Sequence, residues 1–363
     1  MADIYISCML ACQLNSKSAS SIIPLCPTCL KRDHLILSSY PFSMSRAFRQ
    51  TRTSLSRLCT REDKFLFDLN GFIQLKGALS PAEVQAMNDA IDANESKAVV
   101  RSDPKLKNAT PGSGMSAEGS RTDIGGMMSW TGDHGKIFRS MLCHENIQPY
   151  LNEFLGKGYR LDHAPLVLAN GPNSEGFHLH GGPNDAEGGF NPELQYQSDR
   201  SGSIWTSLLG VSIALVDSEP GEGGFCALKG SHKSNFPLPV DFRHGDSDAF
   251  HEHISQPVTK AGDVILFSEA TIHGALPWRP HDGKKQRRLA LYRFGPPTMS
   301  YGRAYLEEWG DSTLLDKCSE DEAAVLTPPY APRMDRKLPG EELVPRDAVK
   351  RAHDKEIFGT EYF

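Results

Sequence analysis

Two histidines and the two glycines that follow them form the stretch of this sequence with the clearest potential for chemistry. Residues 176–183 read GFHLHGGP and place His178 and His180 two positions apart. In an extended strand, side chains two apart project from the same face, and imidazole is the commonest protein ligand for metal ions. The stretch therefore predicts a metal site with His178 and His180 as candidate ligands.

A third histidine stands at a similar strand end, far downstream. His273 lies within residues 269–274 (EATIHG), directly after an apolar strand predicted for residues 264–267. Two or three histidines that converge from different strands can hold an ion and leave positions open for substrate. We therefore expect His180 and His273 to share one ion, which requires a folded sheet to bring them together.

Arg288 is the candidate for binding an anionic cosubstrate. It begins a predicted strand in which Arg288, Ala290 and Tyr292 share one face. An arginine that projects into the interior of a sheet needs an anion for its bidentate fork of donors. A dicarboxylate cosubstrate would satisfy it.

Two helices and then a series of strands must position these residues. Residues 80–83 (SPAE) form a capping box with proline at the first helical position, and a second helix is predicted over residues 144–155, after a loop at residues 98–135. Strands are predicted over residues 71–75, 166–168, 204–216, 264–267 and 289–294. This order predicts an α+β protein, mainly β, whose sheets pack face to face or close into a barrel.

The composition is that of an ordinary globular protein. The chain has 363 residues, of which 39% are hydrophobic and 23% charged, and a net charge of −6 with no long basic run. A nucleic-acid partner is therefore not indicated, and small molecules are the expected substrates. No run of eighteen apolar residues exists, so no transmembrane segment is predicted.

The first sixty residues differ in kind from the rest. Residues 44–57 are rich in Arg and Ser and lack acids, which is typical of an organellar transit peptide. We expect residues 1–60 to be a leader, residues 61–340 the main domain and residues 341–363 a tail. We also expect the protein to be intracellular, and to lie in the mitochondrion or another organelle if the leader is a transit peptide. Cys26 and Cys29 form a CPTC pair, but no second pair at zinc-finger spacing accompanies it.

The chain resembles the phytanoyl-CoA dioxygenase family of iron- and 2-oxoglutarate-dependent oxygenases, over about residues 63–300. The matching stretches are residues 70–73 (NGFI), 212–217 (SIALVD), 223–225 (GGF), 229–233 (KGSHK), 262–267 (GDVILF), 273–274 (HG) and 288–290 (RLA). The resemblance implies a double-stranded β-helix, or cupin-like jelly roll, with flanking N-terminal helices. It also implies Fe(II), O₂ and 2-oxoglutarate as cosubstrate, and hydroxylation of an aliphatic C–H bond in a small or lipid-like molecule.

The resemblance also implies roles for individual residues. His180 matches the family's first iron ligand, His273 the distal ligand and Arg288 the arginine that binds the far carboxylate of 2-oxoglutarate. Thr206 is a candidate for a hydrogen bond to a cosubstrate carboxylate, and Tyr292 shares the predicted face of Arg288.

One position departs from the family pattern. The family places Asp or Glu two residues after its first histidine, and here that residue is Gly182. The third ligand is then His178, or Asp185 or Glu187 from the next loop, or the position is empty and takes chloride, as in halogenases of this chemistry. A glycine is also typical of close backbone approach in a protein that draws its carboxylate from elsewhere.

Three alternatives to a hydroxylase follow from this departure. They are an Fe(II)- and 2-oxoglutarate-dependent halogenase, a jelly roll that binds or regulates without turnover, and a zinc or three-histidine dioxygenase that does not use 2-oxoglutarate. His251, Glu252 and His253 also have metal-like spacing, but they stand in a charge-rich segment that favours a solvated loop.

Overall fold

The computed structural model describes residues 57–102, 107–184, 190–191, 193–283, 285–297, 313–326 and 339–340. Of the predicted leader, only residues 57–60 are among them. Cys26, Cys29 and the predicted tail over residues 341–363 lie outside the described residues. The expected division of the chain into leader, domain and tail stays a prediction.

Two antiparallel sheets and a hairpin contain the described strands. In chain order these are β1 (Phe72–Leu75), β2 (Val99–Val100), β3 (Thr122–Ile124), β4 (Arg160–Asn170), β5 (Phe177–His180), β6 (Tyr196–Ser198), β7 (Ile204–Thr206), β8 (Leu209–Ala214), β9 (Gly224–Leu228), β10 (Ile254–Ser255), β11 (Val264–Ser268), β12 (His273–Leu276) and β13 (Arg287–Gly295). The large sheet has the order β1-β11-β8-β13-β4-β3-β2, the small sheet the order β10-β9-β12-β5, and β6 pairs with β7. The predicted strand over residues 204–216 is thus divided into β7 and β8, and the predicted loop at 98–135 contains β2 and β3.

Helices flank both sheets. In chain order they are α1 (Arg61–Asn70), α2 (Pro81–Ala93), α3 (Asp133–Arg139), α4 (Gln148–Leu155), α5 (Val240–His244), α6 (Phe250–His253) and α7 (Glu320–Leu326). The predicted capping box at α2 is confirmed: Ser80 Oγ accepts from the Glu83 backbone N–H, and the Glu83 carboxylate accepts from the Ser80 backbone N–H. None of the described helices is both long and apolar enough to cross a membrane.

The main core lies between the large sheet and the helices α1 to α4 and α7. Phe67 of α1, Met87 of α2 and Phe154 of α4 pack there with Val211 and Tyr292 of the sheet, and each is at most 1% exposed. Each such fully buried apolar side chain contributes about 1.5–3 kcal/mol. This core holds the large sheet in place from one side, so its other face is available to the site.

A second layer forms where the two sheets face each other. Phe72, Ile265 and Phe267 of the large sheet pack against Ala227 and Phe225 of the small sheet. Beyond the small sheet, residues 107–117 and helices α5 and α6 cover its outer face. The prediction of a mainly β jelly roll with flanking helices is confirmed, with a cavity between its two sheets.

Candidate metal centre

Two histidines and a glutamate converge between the sheets. His180 ends β5 and His273 begins β12, and the two residues are direct partners in the β5–β12 pairing, with ring centroids 4.2 Å apart. Glu269 follows the last residue of β11. One nitrogen or oxygen from each of His180, Glu269 and His273 lies within 4.8 Å of the others.

Backbone carbonyls orient both imidazoles. His273 Nδ1 donates to the Thr271 carbonyl oxygen at 2.7 Å, and His180 Nδ1 donates to the His178 carbonyl oxygen at 3.2 Å. Because a carbonyl only accepts, each Nδ1 carries the proton and each Nε2 presents a lone pair. Metal-ligating histidines are held in this way.

Burial and neighbouring charge put the three groups in the protonation states that a metal needs. Burial lowers the pKa of His180 well below its ordinary value, with the His273 imidazole adding to the effect, and burial likewise lowers the pKa of His273. Burial alone would raise the pKa of Glu269, but Arg293 and the two imidazoles outweigh it and lower this pKa to about 2. At neutral pH the site therefore offers two neutral imidazoles and a carboxylate, a donor set that fits Fe(II) with open coordination positions.

Three arginines face the same cavity, and among the described residues Arg121 and Arg293 have anionic partners whereas Arg287 has none. Arg293 Nε donates to Glu269 Oε1 at 2.5 Å, and Arg121 Nε donates to Asp123 Oδ1 at 2.6 Å. In the described part of the chain, no acceptor pairs with the guanidinium of Arg287. Burial, together with the charge of Arg121, lowers the pKa of Arg287 to about 10, so it remains a cation. Arg287 is thus the group that could bind an anion here.

Asn170, Glu175 and Ser212 also line the cavity, but aromatic and aliphatic side chains form much of its remaining wall. They come from both sheets: Leu168, Phe177, Phe225, Phe267, Leu289 and Leu291. Phe267 and Phe225 also pack on His273, with ring centroids 4.7 and 6.2 Å from its own. These two rings hold the imidazole of His273 in its orientation.

His178 lies beside His180, with ring centroids 6.2 Å apart, but among the described residues it is not part of the group that converges with His273. Between His273 and Ala275 the pairing advances two residues on β12 but three on β5, from His180 to Phe177. This bulge breaks the alternation of side chains, so Phe177 and His180 face the cavity. His178 instead donates from Nδ1 to the Asn108 carbonyl at 2.6 Å and accepts at Nε2 from Arg243 at 3.1 Å.

Arg288 and Tyr292 do share one face of β13, as predicted, but it is the face toward the helices. Arg288 pairs with Asp92 of α2 at 2.7 Å, and the Tyr292 hydroxyl donates to the Phe138 carbonyl of α3 at 2.9 Å. The alternation of β13 puts Arg287 on the cavity instead. The prediction that Arg288 and Tyr292 face the cosubstrate is therefore wrong. The residues of β13 that face the cavity are the odd-numbered ones that begin with Arg287, and not the even-numbered ones that begin with Arg288.

Thr206 is also away from the cavity. It is fully buried beside the β6–β7 hairpin, where its hydroxyl lies 2.6 Å from Ser268 Oγ and donates to the Leu208 carbonyl at 3.3 Å. Its hydroxyl is used within the fold and does not reach a cosubstrate.

The acidic group beside the two histidines is one that sequence reasoning missed. Asp185 and Glu187, two of the candidates for third ligand, lie outside the described residues, and Gly182 presents no side chain. Glu269 lies four residues before His273, inside the EATIHG stretch that drew attention to that histidine. That spacing was the available signal. An acidic side chain thus lies beside the two histidines, although Gly182 supplies none.

His251, Glu252 and His253 lie in α6, directly before β10. In the described ranges, the group of His180, Glu269 and His273 is the one whose ligand atoms converge. The three residues are exposed, as expected, but they form part of a short helix and not the predicted loop. The expectation that they hold no second metal stays a prediction.

Comparison with known proteins bears on the whole domain. The model of the family described as phytanoyl-CoA dioxygenase (PhyH) matches residues 67–285. HygX from Streptomyces hygroscopicus, solved with nickel and 2-oxoglutarate, is similar with a TM-score of 0.51 and 20% identity over 65% of this chain and 87% of that one. The structure of HygX with nickel, 2-oxoglutarate and hygromycin B bound is similar with a TM-score of 0.50 and 21% identity, over 65% of this chain and 87% of that one. At such identity the likeness shows the fold. Among curated proteins, none matches the sequence significantly.

Proposed function

Because the chain belongs to the phytanoyl-CoA dioxygenase family, we propose that it is an Fe(II)- and 2-oxoglutarate-dependent oxygenase that hydroxylates an aliphatic C–H bond of a small molecule. One observation carries the proposal: two imidazoles whose Nε2 atoms present lone pairs line one cavity with Arg287, an arginine that has no anionic partner among the described residues. A metal ion and a dicarboxylate are the pair of ligands that such a cavity fits.

Each of these residues has a separate task. His180 and His273 hold Fe(II) through Nε2, because their Nδ1 atoms are engaged by backbone carbonyls. Arg287 binds the carboxylate of 2-oxoglutarate that does not reach the metal, since a guanidinium pairs with a carboxylate through two parallel hydrogen bonds. Bound Fe(II) and 2-oxoglutarate supply the O₂-dependent oxidation of the C–H bond.

The walls of the cavity favour an apolar part of the substrate near the metal. Phe177 contacts His180 edge-on at 4.4 Å between ring centroids, and Leu289 and Leu291 line the opposite side. Such walls give an aliphatic carbon a dry place to lie and exclude water from the reacting atoms.

The alternatives receive less support from the same geometry. A halogenase needs its anionic ligand position left to a halide, and Glu269 lies beside the two histidines. A three-histidine site needs His178, whose ring nitrogens are engaged by Asn108 and Arg243. A jelly roll without turnover has no use for a buried carboxylate held ionised next to two neutral imidazoles.

Succinate formation tests the proposal. The purified protein with Fe(II), 2-oxoglutarate and ascorbate under air is expected to release succinate, and a panel of aliphatic small molecules is expected to raise the rate for its substrate. His180→Ala and His273→Ala should abolish succinate release, whereas His178→Ala, the matched control two residues away, should retain it. The proposal fails if the wild type neither binds Fe(II) nor forms succinate under any of these conditions.

A further inference from the structure

We infer that Glu269, held in place by Arg293, is the acidic ligand of this metal site, and that the glycine pair after His180 serves to admit the turn that carries it. The inference rests on the proposed function, because it concerns the same ion. It moves the carboxylate from the strand of the first histidine to the turn before the distal one.

Gly181 is in contact with that turn through its backbone. A Cβ at Gly181 would lie 2.5 Å from the Glu269 carbonyl oxygen and 2.7 Å from the Thr271 carbonyl oxygen, and its φ is +82°. Both neighbours are main-chain atoms and cannot move aside without moving the turn. Only glycine allows residues 269–271 to lie this close to His180.

Gly182 shows why the acid is not in the family's usual position. Its φ of +98° is a conformation that side-chain-bearing residues rarely adopt, and a Cβ there would meet Ile272 Cγ1 at 3.0 Å. An aspartate at this position would be strained in its backbone and crowded at its first carbon. The two glycines and the glutamate are therefore parts of one arrangement.

The turn that carries Glu269 is firmly tied. The Glu269 backbone N–H donates to the Leu208 carbonyl at 3.0 Å, and the Thr271 N–H donates to the Ser268 carbonyl at 2.8 Å. Ser268 Oγ also accepts from the Ala270 N–H at 3.2 Å. These hydrogen bonds fix the backbone of the turn, so only the side-chain torsions of Glu269 can change. The side chain is 6% exposed.

Arg293 contacts one carboxylate oxygen of Glu269, and the other oxygen faces the histidines. Glu269 Oε1 accepts from Arg293 Nε at 2.5 Å, while Oε2 points to the histidines, 3.4 Å from His273 Nε2. One oxygen is thus anchored and the other is directed to the place between the imidazoles. Arg293 is a positioning residue, and a purely structural Glu269–Arg293 ion pair is the reading that the experiment must separate from this one.

Cobalt(II) titration of the metal-free protein, followed by calorimetry and by visible absorption, provides the test. Glu269→Gln is expected to weaken Co(II) binding by about 100-fold or more and to change the visible spectrum, because outer partners of metal ligands alone cost about 10–100-fold. Glu222→Gln is the matched control, since Glu222 is a buried carboxylate paired with Lys285 at 2.8 Å outside this cavity. It should bind Co(II) as the wild type does.

Arg293 variants give the second measurement. Arg293→Met should weaken Co(II) binding by about tenfold, and Arg293→Lys should restore most of that loss, because an ammonium can still hold one oxygen. A merely structural pair would change thermal stability in these variants but leave the Co(II) affinity and spectrum unchanged. If Glu269→Gln fails to fold, the two Arg293 variants still test the inference.

The outcomes separate the inference from the function. If the wild type binds Co(II) and forms succinate with Fe(II), and folded Glu269→Gln binds Co(II) within about threefold of the wild type, the inference is overturned and the function stands. If the wild type binds no metal, the proposed function itself fails, and the inference fails with it.

Discussion

The two faces of β13 separate the chemistry of the molecule from its stability. One face presents Arg287, Leu289, Leu291 and Arg293 to the cavity, and the other presents Arg288, Ala290, Tyr292 and Phe294 to the helices or their edge. The helix face is apolar and closed, apart from Arg288. The cavity face has charges that burial makes costly unless a partner is present. Adjacent residues on one strand therefore have opposite tasks.

The arginines of β13 show the difference most clearly. Arg293 has a buried glutamate as partner, Arg288 has the exposed Asp92, and Arg287 has no partner among the described residues. A half-buried cation without an anion costs folding free energy, and a bound carboxylate lowers that cost. Stability and ligand affinity should consequently respond in opposite ways to substitutions on the two faces.

The largest expected effect is on the helix face. Phe294 is fully buried and packs edge-on against Tyr159, with ring centroids 5.7 Å apart. Phe294→Ala should lower the free energy of unfolding by about 3–5 kcal/mol, because it removes a large ring from a closed core. Urea unfolding measures this.

Leu291→Ala on the cavity face is the comparison for Phe294. Leu291 is half-buried and lines the cavity, so its loss should cost clearly less stability while altering substrate turnover. Equal destabilisation by the two variants would contradict the division between the faces.

Acid should act on the cavity face. Despite its burial, Glu269 has a pKa lowered to about 2 from an ordinary 4.5, mainly by Arg293. A carboxyl with a lowered pKa stabilises the fold above its ordinary value, and this contribution is lost as the pH falls from about 4.5 toward 2. The loss should approach about 3 kcal/mol in the metal-free wild type, and Glu269→Gln should lack this dependence. Urea unfolding at about pH 6 and about pH 3 measures the loss of stability in both proteins. An equal loss in the wild type and in Glu269→Gln would contradict the prediction.

Cosubstrate affinity should depend on Arg287 and not on its neighbour. Arg287→Met should weaken 2-oxoglutarate binding by about 100-fold, which corresponds to about 2.7 kcal/mol, because a buried charge-assisted pair is lost. Arg288→Met should stay within about threefold of the wild type, a change below about 0.7 kcal/mol. Calorimetric titration of the metal-loaded protein with 2-oxoglutarate measures both. A larger loss of 2-oxoglutarate affinity in Arg288→Met than in Arg287→Met would mean that Arg288 binds the cosubstrate, and would contradict the prediction.

The pattern of elements and two of the three metal-binding candidates were predictable from the sequence. Strand composition and the capping box of α2 predicted helices followed by packed sheets, and the family resemblance implied the jelly roll. The strand-end histidines predicted His180 and His273 as candidate ligands. The facing of residues was harder to predict. Arg287 and Arg288 are adjacent and chemically identical, so the choice between them depends on which face of β13 is covered by helices. That is a property of the packing and not of the strand.

The bulge and the turn were beyond prediction for a related reason. Strict alternation put His178 with His180, and a single extra residue on β5 separates them. Glu269 is near His273 in sequence, but its direction depends on hydrogen bonds to Leu208 and Ser268 and on the close approach to Gly181. Contacts between segments distant in sequence decide each of these.

The smallest expected effect is on stability at Arg288. Its partner Asp92 has a side chain that is 62% exposed, so solvent screens the pair, and such surface ion pairs contribute about 0.2–1 kcal/mol. Arg288→Met should therefore lower the free energy of unfolding by less than about 1 kcal/mol, and the difference from the wild type should shrink further in high salt. Urea unfolding at two salt concentrations measures this. A loss comparable to that of Phe294→Ala would mean that the guanidinium is buried on this face, and the contrast between the faces of β13 would then no longer hold at its first two residues.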